Sequence, residues 1–165
     1  MMPRLPTLVA LSTLAAFGTA LAAVPEYTTI KMETDVARPA KEVWAKVGGY
    51  CDISKWFKIG CQITSGNGDI GTVRVLDGGR ITEVLVAKTD LSYGYTWPVK
   101  PDQFYNLYHG FLEARPVTGK TSKLIYTLMY DSSDKAGKAE KDADIAARRT
   151  RFEAALKSMK EMAEK

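Results

Sequence analysis

The sequence predicts an α+β domain in which an antiparallel meander of about six strands packs against one long C-terminal helix. Residues 71–131 divide into short runs that alternate apolar and polar side chains between turn residues, as consecutive strands do. The C-terminal segment is poor in strand formers, and Ile145, Phe152, Leu156 and Met159 recur there at helical spacing. This helix of about six turns needs an apolar partner, and the open face of the sheet is the candidate.

The first predicted elements are a strand and two short helices. Residues 27–37, YTTIKMETDVA, alternate as a half-buried strand does. Pro39 starts a short amphipathic helix that ends at Gly48 and Gly49. The following DISKW predicts one more helical turn, with Asp52 as its N-cap.

The clearest hairpin is GTVRVLDGGRITEVLVAKTD, in which Gly78 and Gly79 supply the positive φ angles of a two-residue turn. This turn sets Arg74 opposite Glu83 in the neighbouring strand. The segments LSYGYTWPV, FYNLYHGFLEARP and SKLIYTLMYDS predict three further strands. The segment GNGDIG predicts a loop between strands, because it lacks the Lys-Ser/Thr of a phosphate-binding loop.

The N-terminal segment MMPRLPTLVALSTLAAFGTALAA has the layout of a secretory signal peptide: one Arg, an uncharged run and then small residues. We expect cleavage after Ala22, so that residues 1–22 are removed and residues 23–165 form one periplasmic or secreted domain. The alternative is a membrane anchor, because the uncharged run from Leu5 is about long enough to span a bilayer. Its Ala/Thr-rich composition and the absence of a following basic cluster favour cleavage.

The charge of the chain argues against a nucleic-acid partner. The formal net charge is +4 at pH 7, and it becomes smaller once Arg4 is removed with the signal peptide. This balance is too mild for a nucleic-acid-binding domain, and no stripe of Lys and Arg alternates with aromatic residues. We expect neither nucleic acid nor a stable membrane anchor as a partner of the mature chain.

The two cysteines, Cys51 and Cys61, predict a disulfide, because an exported protein meets an oxidising environment. Closing this loop would stabilise the fold by about 2.5–3 kcal/mol in the chain-entropy model. Two free thiols are the main alternative. A redox site is not expected, because the cysteines do not form a C-x-x-C motif. A zinc site is not expected either, because it needs four clustered ligands and the chain has two Cys and one His. We therefore expect no metal.

The sequence lacks the short motifs of the common catalytic and cofactor sites. G-x-S-x-G, H-E-x-x-H, a Gly-rich phosphate loop and paired carboxylates at catalytic spacing are all missing. We therefore expect no cofactor.

Three segments carry a resemblance to a known family. ARPAKEVWAKVGGY is similar to the family's first helix, ISKWF to its Trp-containing turn, and GDIGTVRVLDGGRITEVLVAKTDLSYGYTW to the pattern of its bacterial cyclase-like branch. From about Tyr27 to Ala163 the chain resembles the SRPBCC superfamily, which includes START-like and polyketide cyclase/dehydrase-like proteins. It departs at Trp56-Phe57-Lys58, where the family has Trp-His-Pro, and in the added cysteine pair.

The resemblance implies a helix-grip fold, in which a curved sheet of six to seven strands wraps around the C-terminal helix and encloses a cavity. The family register places these residues on the inner face: Arg74, Glu83, Tyr95, Trp97, Tyr108, Tyr126, Leu128 and Tyr130. The opposite alternation would turn another set inward: Val73, Val75, Val84 and Val86. Trp56 would lie near the cavity entrance.

Several of these side chains allow two interpretations. Arg74 and Glu83 form either a surface or structural pair, or a pair that orients a ligand. Arg149 lies among the apolar positions of the last helix. Its side chain either extends to solvent at the edge of this apolar stripe or reaches into the mouth of the cavity. His109 alternates with Tyr108, so it faces solvent if Tyr108 faces inward.

Two classes of function follow from this set. The first is an exported protein that binds a small hydrophobic or aromatic molecule through residues of the cavity wall: Trp56, Arg74, Glu83, Tyr95, Trp97, Tyr108, Tyr126, Tyr130 and Arg149. The second is a cofactor-independent cyclase, dehydratase or lyase acting on an aromatic or polyketide-like compound. Glu83 would then be the general base, Arg74 would stabilise an enolate and Tyr95 would donate a proton. A chaperone-like role with an empty cavity is a third class.

Overall fold

The computed structural model of the protein describes residues 24–99, 101 and 107–165. The predicted signal peptide, residues 1–22, lies outside the described residues. Tyr105 and the predicted start of its strand lie outside them as well.

The described chain contains seven strands in one sheet and three α-helices. In chain order the elements are β1 (Tyr27–Val36), α1 (Ala40–Val47), α2 (Ile53–Trp56), β2 (Cys61–Ser65), β3 (Val73–Leu76), β4 (Ile81–Thr89), β5 (Ser92–Thr96), β6 (Tyr108–Pro116), β7 (Ser122–Asp131) and α3 (Lys138–Glu164). The strands lie in the order β1-β7-β6-β5-β4-β3-β2, and every neighbouring pair is antiparallel. The predicted helix-grip fold is confirmed.

The β3–β4 turn has the predicted geometry. Gly78 and Gly79 have backbone φ angles of 68° and 96°, which residues with a Cβ atom rarely adopt. The N–H of Arg80 donates to the Asp77 carbonyl at 3.5 Å and closes the turn. Arg74 and Glu83 are therefore paired across the hairpin, as predicted.

Strand β2 was not among the predicted strands. Among the described strands it lies at the edge of the sheet and pairs only with β3, and four of its five residues are exposed. Such a strand carries little apolar alternation, so its sequence gives a weak signal. Its first residue, Cys61, forms the predicted disulfide with Cys51, with a Cα–Cα distance of 5.6 Å. The disulfide joins the start of β2 to the segment between α1 and α2.

The side chain of Asp52 does not cap α2, contrary to the prediction. Asp52 has helical φ and ψ angles of −66° and −12°, whereas an N-cap residue is normally extended. Its carboxylate instead accepts a 2.8 Å hydrogen bond from the N–H of Gly49 and pairs with Lys55 at 2.7 Å. The aspartate therefore fixes the α1–α2 connection.

Helix α3 is longer than the sequence predicts. It begins at Lys138 and spans 27 residues, so most of its polar lead-in is helical. The Glu140 carboxylate accepts a 2.9 Å hydrogen bond from the N–H of Ala136 and so stabilises the first turn. The buried side of α3 packs on the sheet and on α1 and α2, and it is formed by Phe152, Ala155, Leu156, Met159 and Ala163. Within the described ranges, no helix is long and apolar enough to cross a membrane.

Candidate functional site

The inner face of the sheet follows the first of the two alternations. Arg74 is 0% exposed and Glu83 is 4% exposed, whereas Val86 on the opposite alternation is 41% exposed. The other side chains of the inner set are buried or half-buried: Tyr95, Trp97, Tyr108, Tyr126, Leu128 and Tyr130. Val73, Val75 and Val84 are half-buried on the outer face. One charged pair therefore lies inside a largely apolar core.

Arg74 and Glu83 form a buried ion pair. The Nη2 and Nε atoms of Arg74 lie 2.6 and 2.7 Å from Oε2 of Glu83. Nη1 of Arg74 donates a hydrogen bond to the carbonyl oxygen of Tyr50, and Trp97 Nε1 donates to Oε1 of Glu83 at 3.3 Å. Burying two charges carries a desolvation cost that pairing and hydrogen bonds must offset. Each charge here has such partners.

Three tyrosine rings surround the guanidinium of Arg74. Its central carbon lies 4.1 Å from the ring centroid of Tyr50, 5.0 Å from that of Tyr95 and 5.7 Å from that of Tyr93. Rings at these distances attract a cation through their negative faces. Tyr50 was not among the predicted site residues. Its position next to Cys51 is the signal that could have found it, because the disulfide ties this segment to the sheet.

The hydroxyls of Tyr95 and Tyr126 form a buried hydrogen bond of 2.8 Å. Beside them, the ring of Tyr126 contacts Phe152 of α3 and Trp56 of α2, with centroid separations of 4.7 and 6.3 Å. Trp56 is buried, and its Nε1 donates to the carbonyl of Val47 at 3.3 Å. The predicted residues Trp56, Tyr95 and Tyr126 therefore meet between the sheet and the helices.

Burial controls the ionisation of these groups. It raises the pKa of Glu83 above 4.5, although Arg74 and the Trp97 hydrogen bond act in the opposite direction. It also raises the pKa of Tyr95 and Tyr126 well above 10. The tyrosine hydroxyls therefore keep their protons at neutral pH and can donate hydrogen bonds.

A second polar cluster lies where β7 meets the first half of α3. The hydroxyl of Tyr130 donates to Oδ2 of Asp144 at 2.5 Å, and Arg148 Nε donates to the same oxygen at 2.8 Å. The guanidinium carbon of Arg148 lies 4.1 Å from the Tyr130 centroid and 5.7 Å from that of Tyr108. Burial raises the pKa of Asp144, but the bonds from Arg148 and Tyr130 outweigh it, so the pKa lies below 3.8.

Trp97 and Tyr108 connect the two clusters. Their rings stack with centroids 3.9 Å apart and planes 13° from parallel. Trp97 contacts Glu83 through its indole nitrogen, and Tyr108 lies under Arg148. His109 follows Tyr108 on the opposite face of β6, where it is half-buried opposite Thr96 and Met129. A continuous series of polar and aromatic contacts therefore runs from Arg74 to α3.

Arg149 does not join this group. Its side chain is exposed, and Nη1 lies 3.4 Å from the Lys31 carbonyl and 3.3 Å from the Glu153 carboxylate. Arg149 lies on the same solvent-facing side of α3 as Glu153, which follows it by one helical turn. Arg148 lies one turn before the buried Phe152 and so occupies the position predicted for Arg149.

A cleft of about 260 Å³ lies between the α1–α2 connection and the β4–β5 hairpin. Tyr50 and Tyr93 form part of its lining together with Trp44, Lys88 and Ser92. These two tyrosines therefore stand between the cleft and the buried guanidinium. Among the described residues, no three His, Cys, Asp or Glu side chains lie close enough together to hold a metal ion.

Residues 27–164, which include both polar clusters, match the family described as polyketide cyclase/dehydrase and lipid transport. The chain belongs to this family. The match covers every strand and helix given above, and it confirms the resemblance to the SRPBCC superfamily. No curated protein matches the sequence.

Solved structures share the fold of this family member. A Nitrosospira multiformis protein is 22% identical, with a TM-score of 0.64, and the alignment covers 81% of this chain and 94% of that one. The Zhui aromatase/cyclase from Streptomyces sp. R1128 is 15% identical, with a TM-score of 0.63 and coverage of 84% and 94%. Ara h 8.0201 is 19% identical, with a TM-score of 0.59 and coverage of 84% and 98%. At these identities the likeness shows the fold alone.

Proposed function

We propose that the protein binds a small hydrophobic or aromatic molecule between the sheet and α3, with a polar group of that molecule at Arg74 and Glu83. The observation that carries this proposal is the buried ion pair itself. It lies among aromatic rings whose apolar faces suit an apolar ligand, and whose hydroxyls suit the oxygen atoms of that ligand.

A purely structural role explains the pair less well. Well-packed apolar side chains of similar volume stabilise a core as well as a buried ion pair does, or better. The surrounding interior is already apolar, with Leu76, Leu85 and Leu128 on the same sheet. A charged pair in this setting is better explained by recognition of a polar group than by stability.

The family supports a binding role, since its description names lipid transport beside cyclase and dehydrase chemistry. The predicted ligand-binding set contributes to the proposal in two groups. Trp56, Arg74, Glu83, Tyr95 and Tyr126 surround the first polar cluster, and Trp97, Tyr108 and Tyr130 lead to the second. Arg148 takes the role proposed from sequence for Arg149.

We further propose that the protein acts outside the cytoplasm, after removal of residues 1–22. The disulfide between Cys51 and Cys61 supports this, because such bonds persist in oxidising compartments. Intact-mass measurement of the protein from a periplasmic or culture fraction should give the mass of residues 23–165. The full 165-residue mass in the membrane fraction would contradict the proposal.

Titration with N-phenyl-1-naphthylamine tests the binding proposal, because this uncharged probe fluoresces in apolar sites and its amine N–H can donate to the Glu83 carboxylate. The test variant is Arg74→Met with Glu83→Gln. The control is Arg115→Met with Glu113→Gln, which removes an exposed Arg–Glu pair on β6. The control should bind the probe as the native protein does, and the test variant should bind about tenfold more weakly or worse. Equal affinity of a folded test variant would refute the proposal.

A second candidate function is a cofactor-independent cyclase, dehydratase or lyase acting on an aromatic or polyketide-like compound. Burial of Glu83, with its raised pKa, favours this candidate, since a general base benefits from a pKa closer to neutral pH. The test is exchange of the α-protons of 1-tetralone in D₂O, followed by NMR. Exchange that exceeds the buffer rate and disappears in Glu83→Gln supports it, and exchange at the buffer rate rules out this base chemistry on the ketone.

A further inference from the structure

Two buried hydroxyls beside Arg74, those of Tyr50 and Tyr93, donate no hydrogen bond to a described residue, and the Tyr93 oxygen interacts with the Arg74 guanidinium as an acceptor. Tyr93 is 3% exposed, and the hydroxyl of Tyr50 is buried although its ring is only half-buried. Polar atoms buried in this way are rare, because each one loses its hydrogen bonds to water. The two phenol O–H groups are therefore unused donors of the site.

The two phenols lie together on one side of the ion pair. Their rings meet edge to face with centroids 5.4 Å apart, and the guanidinium carbon of Arg74 lies within 5.7 Å of both centroids. Both phenols interact electrostatically with Arg74 and with Glu83. Burial raises the pKa of each, so both keep their protons at neutral pH.

The charges around these donors decide what kind of acceptor they suit. The charge of Arg74 is already balanced by Glu83 at 2.6 Å, and Asp52 is the further acidic group that interacts with Tyr93. Asp52 itself pairs with Lys55. Lys88, which lines the cleft with both tyrosines, pairs with Asp69. A ligand carboxylate would therefore meet the carboxylate of Glu83, and no unpaired cation among the described residues of this site offsets the repulsion and the cost of its desolvation.

We infer that Tyr50 and Tyr93 select a ligand that brings an uncharged oxygen acceptor, such as an amide, ester or ketone carbonyl, to the Arg74 side of the site. Two phenol donors match the two lone pairs of one such oxygen. A hydrocarbon leaves both donors unused, and a carboxylate meets Glu83. This selectivity rests on the proposed binding function and adds the chemical class of the group that is recognised.

Three naphthalene probes of similar shape test the inference by calorimetric titration: 2-acetonaphthone, 2-ethylnaphthalene and 2-naphthoate. The native protein should bind the ketone about tenfold more tightly than the hydrocarbon, and the carboxylate most weakly. Tyr50→Phe and Tyr93→Phe should each reduce the preference for the ketone, with little change for the hydrocarbon. Tyr27→Phe, which alters a 58% exposed tyrosine on β1, is the matched control and should keep the preference.

Thermal melting of the same variants separates selectivity from a structural role. Because the Tyr50 hydroxyl has no partner among the described residues, Tyr50→Phe should melt at the native temperature or above it. Tyr93→Phe also removes the phenol oxygen that interacts with the Arg74 guanidinium and should melt slightly lower. Tyr126→Phe breaks the bond to Tyr95 and should melt lower. Lower melting of Tyr50→Phe would overturn the inference, as would equal affinity for the three probes or tightest binding of 2-naphthoate. Failure of every probe to bind would instead overturn the proposed function, and the inference with it.

Discussion

Arg74 and Glu83 face each other across the β3–β4 hairpin, with Nη2 and Oε2 2.6 Å apart and the guanidinium wholly buried. Removing one partner leaves the other charge buried and unpaired. Arg74→Met should therefore lower the free energy of unfolding by about 3–5 kcal/mol. Urea denaturation measures this loss.

The double variant Arg74→Met, Glu83→Gln should recover much of that loss, because it leaves no unpaired charge inside. On the surface, Arg115→Met should cost less than about 1 kcal/mol, although Arg115 also pairs with a glutamate. A similar small cost for Arg74→Met would show that the guanidinium is hydrated, and the buried pair would then be excluded.

Replacing both Cys51 and Cys61 by Ser should lower the free energy of unfolding by about 2.5–3 kcal/mol in the chain-entropy model. The disulfide also ties down Tyr50, whose carbonyl accepts a hydrogen bond from Arg74. The double Ser variant should therefore bind N-phenyl-1-naphthylamine more weakly than the native protein. Thiol titration of the unfolded, unreduced native chain should find no free thiol, and two would contradict the pairing.

Phe152 of α3 contacts Tyr126 and Phe57 at centroid distances of 4.7 and 5.3 Å. Phe152→Ala should destabilise the fold by about 3–5 kcal/mol, because it leaves a cavity between helix and sheet. Glu153→Ala alters the neighbouring exposed position and is the control. Equal melting temperatures for the two variants would mean that α3 does not cover the sheet at this point.

The pKa of Asp144 predicts a response to acid. Because this pKa is below 3.8, the ionised carboxylate stabilises the fold above pH 3.8, and the contribution is lost as the pH falls through the lowered value. Asp144→Asn should therefore be less stable than the native protein at neutral pH, and the difference should shrink on acidification below pH 3.8. A difference that stays constant across this range would show that Asp144 is not held by Arg148 and Tyr130.

The sequence was sufficient for features that depend on local patterns. Gly78 and Gly79 determined the turn and therefore the pairing of Arg74 with Glu83. The alternation around them left two faces open, and the family register was needed to choose the buried one. Strand β2 could not be recognised, because an exposed edge strand needs no apolar alternation. The fold class was predictable for the same reason as the hairpin, since each strand is short, alternating and close to its neighbour.

The site residues that could be predicted from the sequence are those on the inner face of the strands. Tyr50 reaches Arg74 from a connection without regular structure, so no period in the sequence indicates it. Arg148 and Arg149 are adjacent, and both lie three or four residues from the apolar positions Ile145 and Phe152. The packing of α3 on the sheet determines which of the two arginines contacts the site. That packing depends on tertiary structure and cannot be inferred from helical spacing.

The most direct measurement of the central claim is the response of the three Trp indole N–H signals to N-phenyl-1-naphthylamine in ¹⁵N-labelled protein. Trp97 donates to Glu83 inside the fold, whereas Trp44 lines the cleft on the other side of Tyr50 and Tyr93. Signals are assigned by single Trp→Phe variants. We expect the Trp97 signal to shift with saturable binding and the Trp44 signal to change less. A shift of Trp44 with an unmoved Trp97 would place the ligand in the cleft and contradict binding at the Arg74–Glu83 pair.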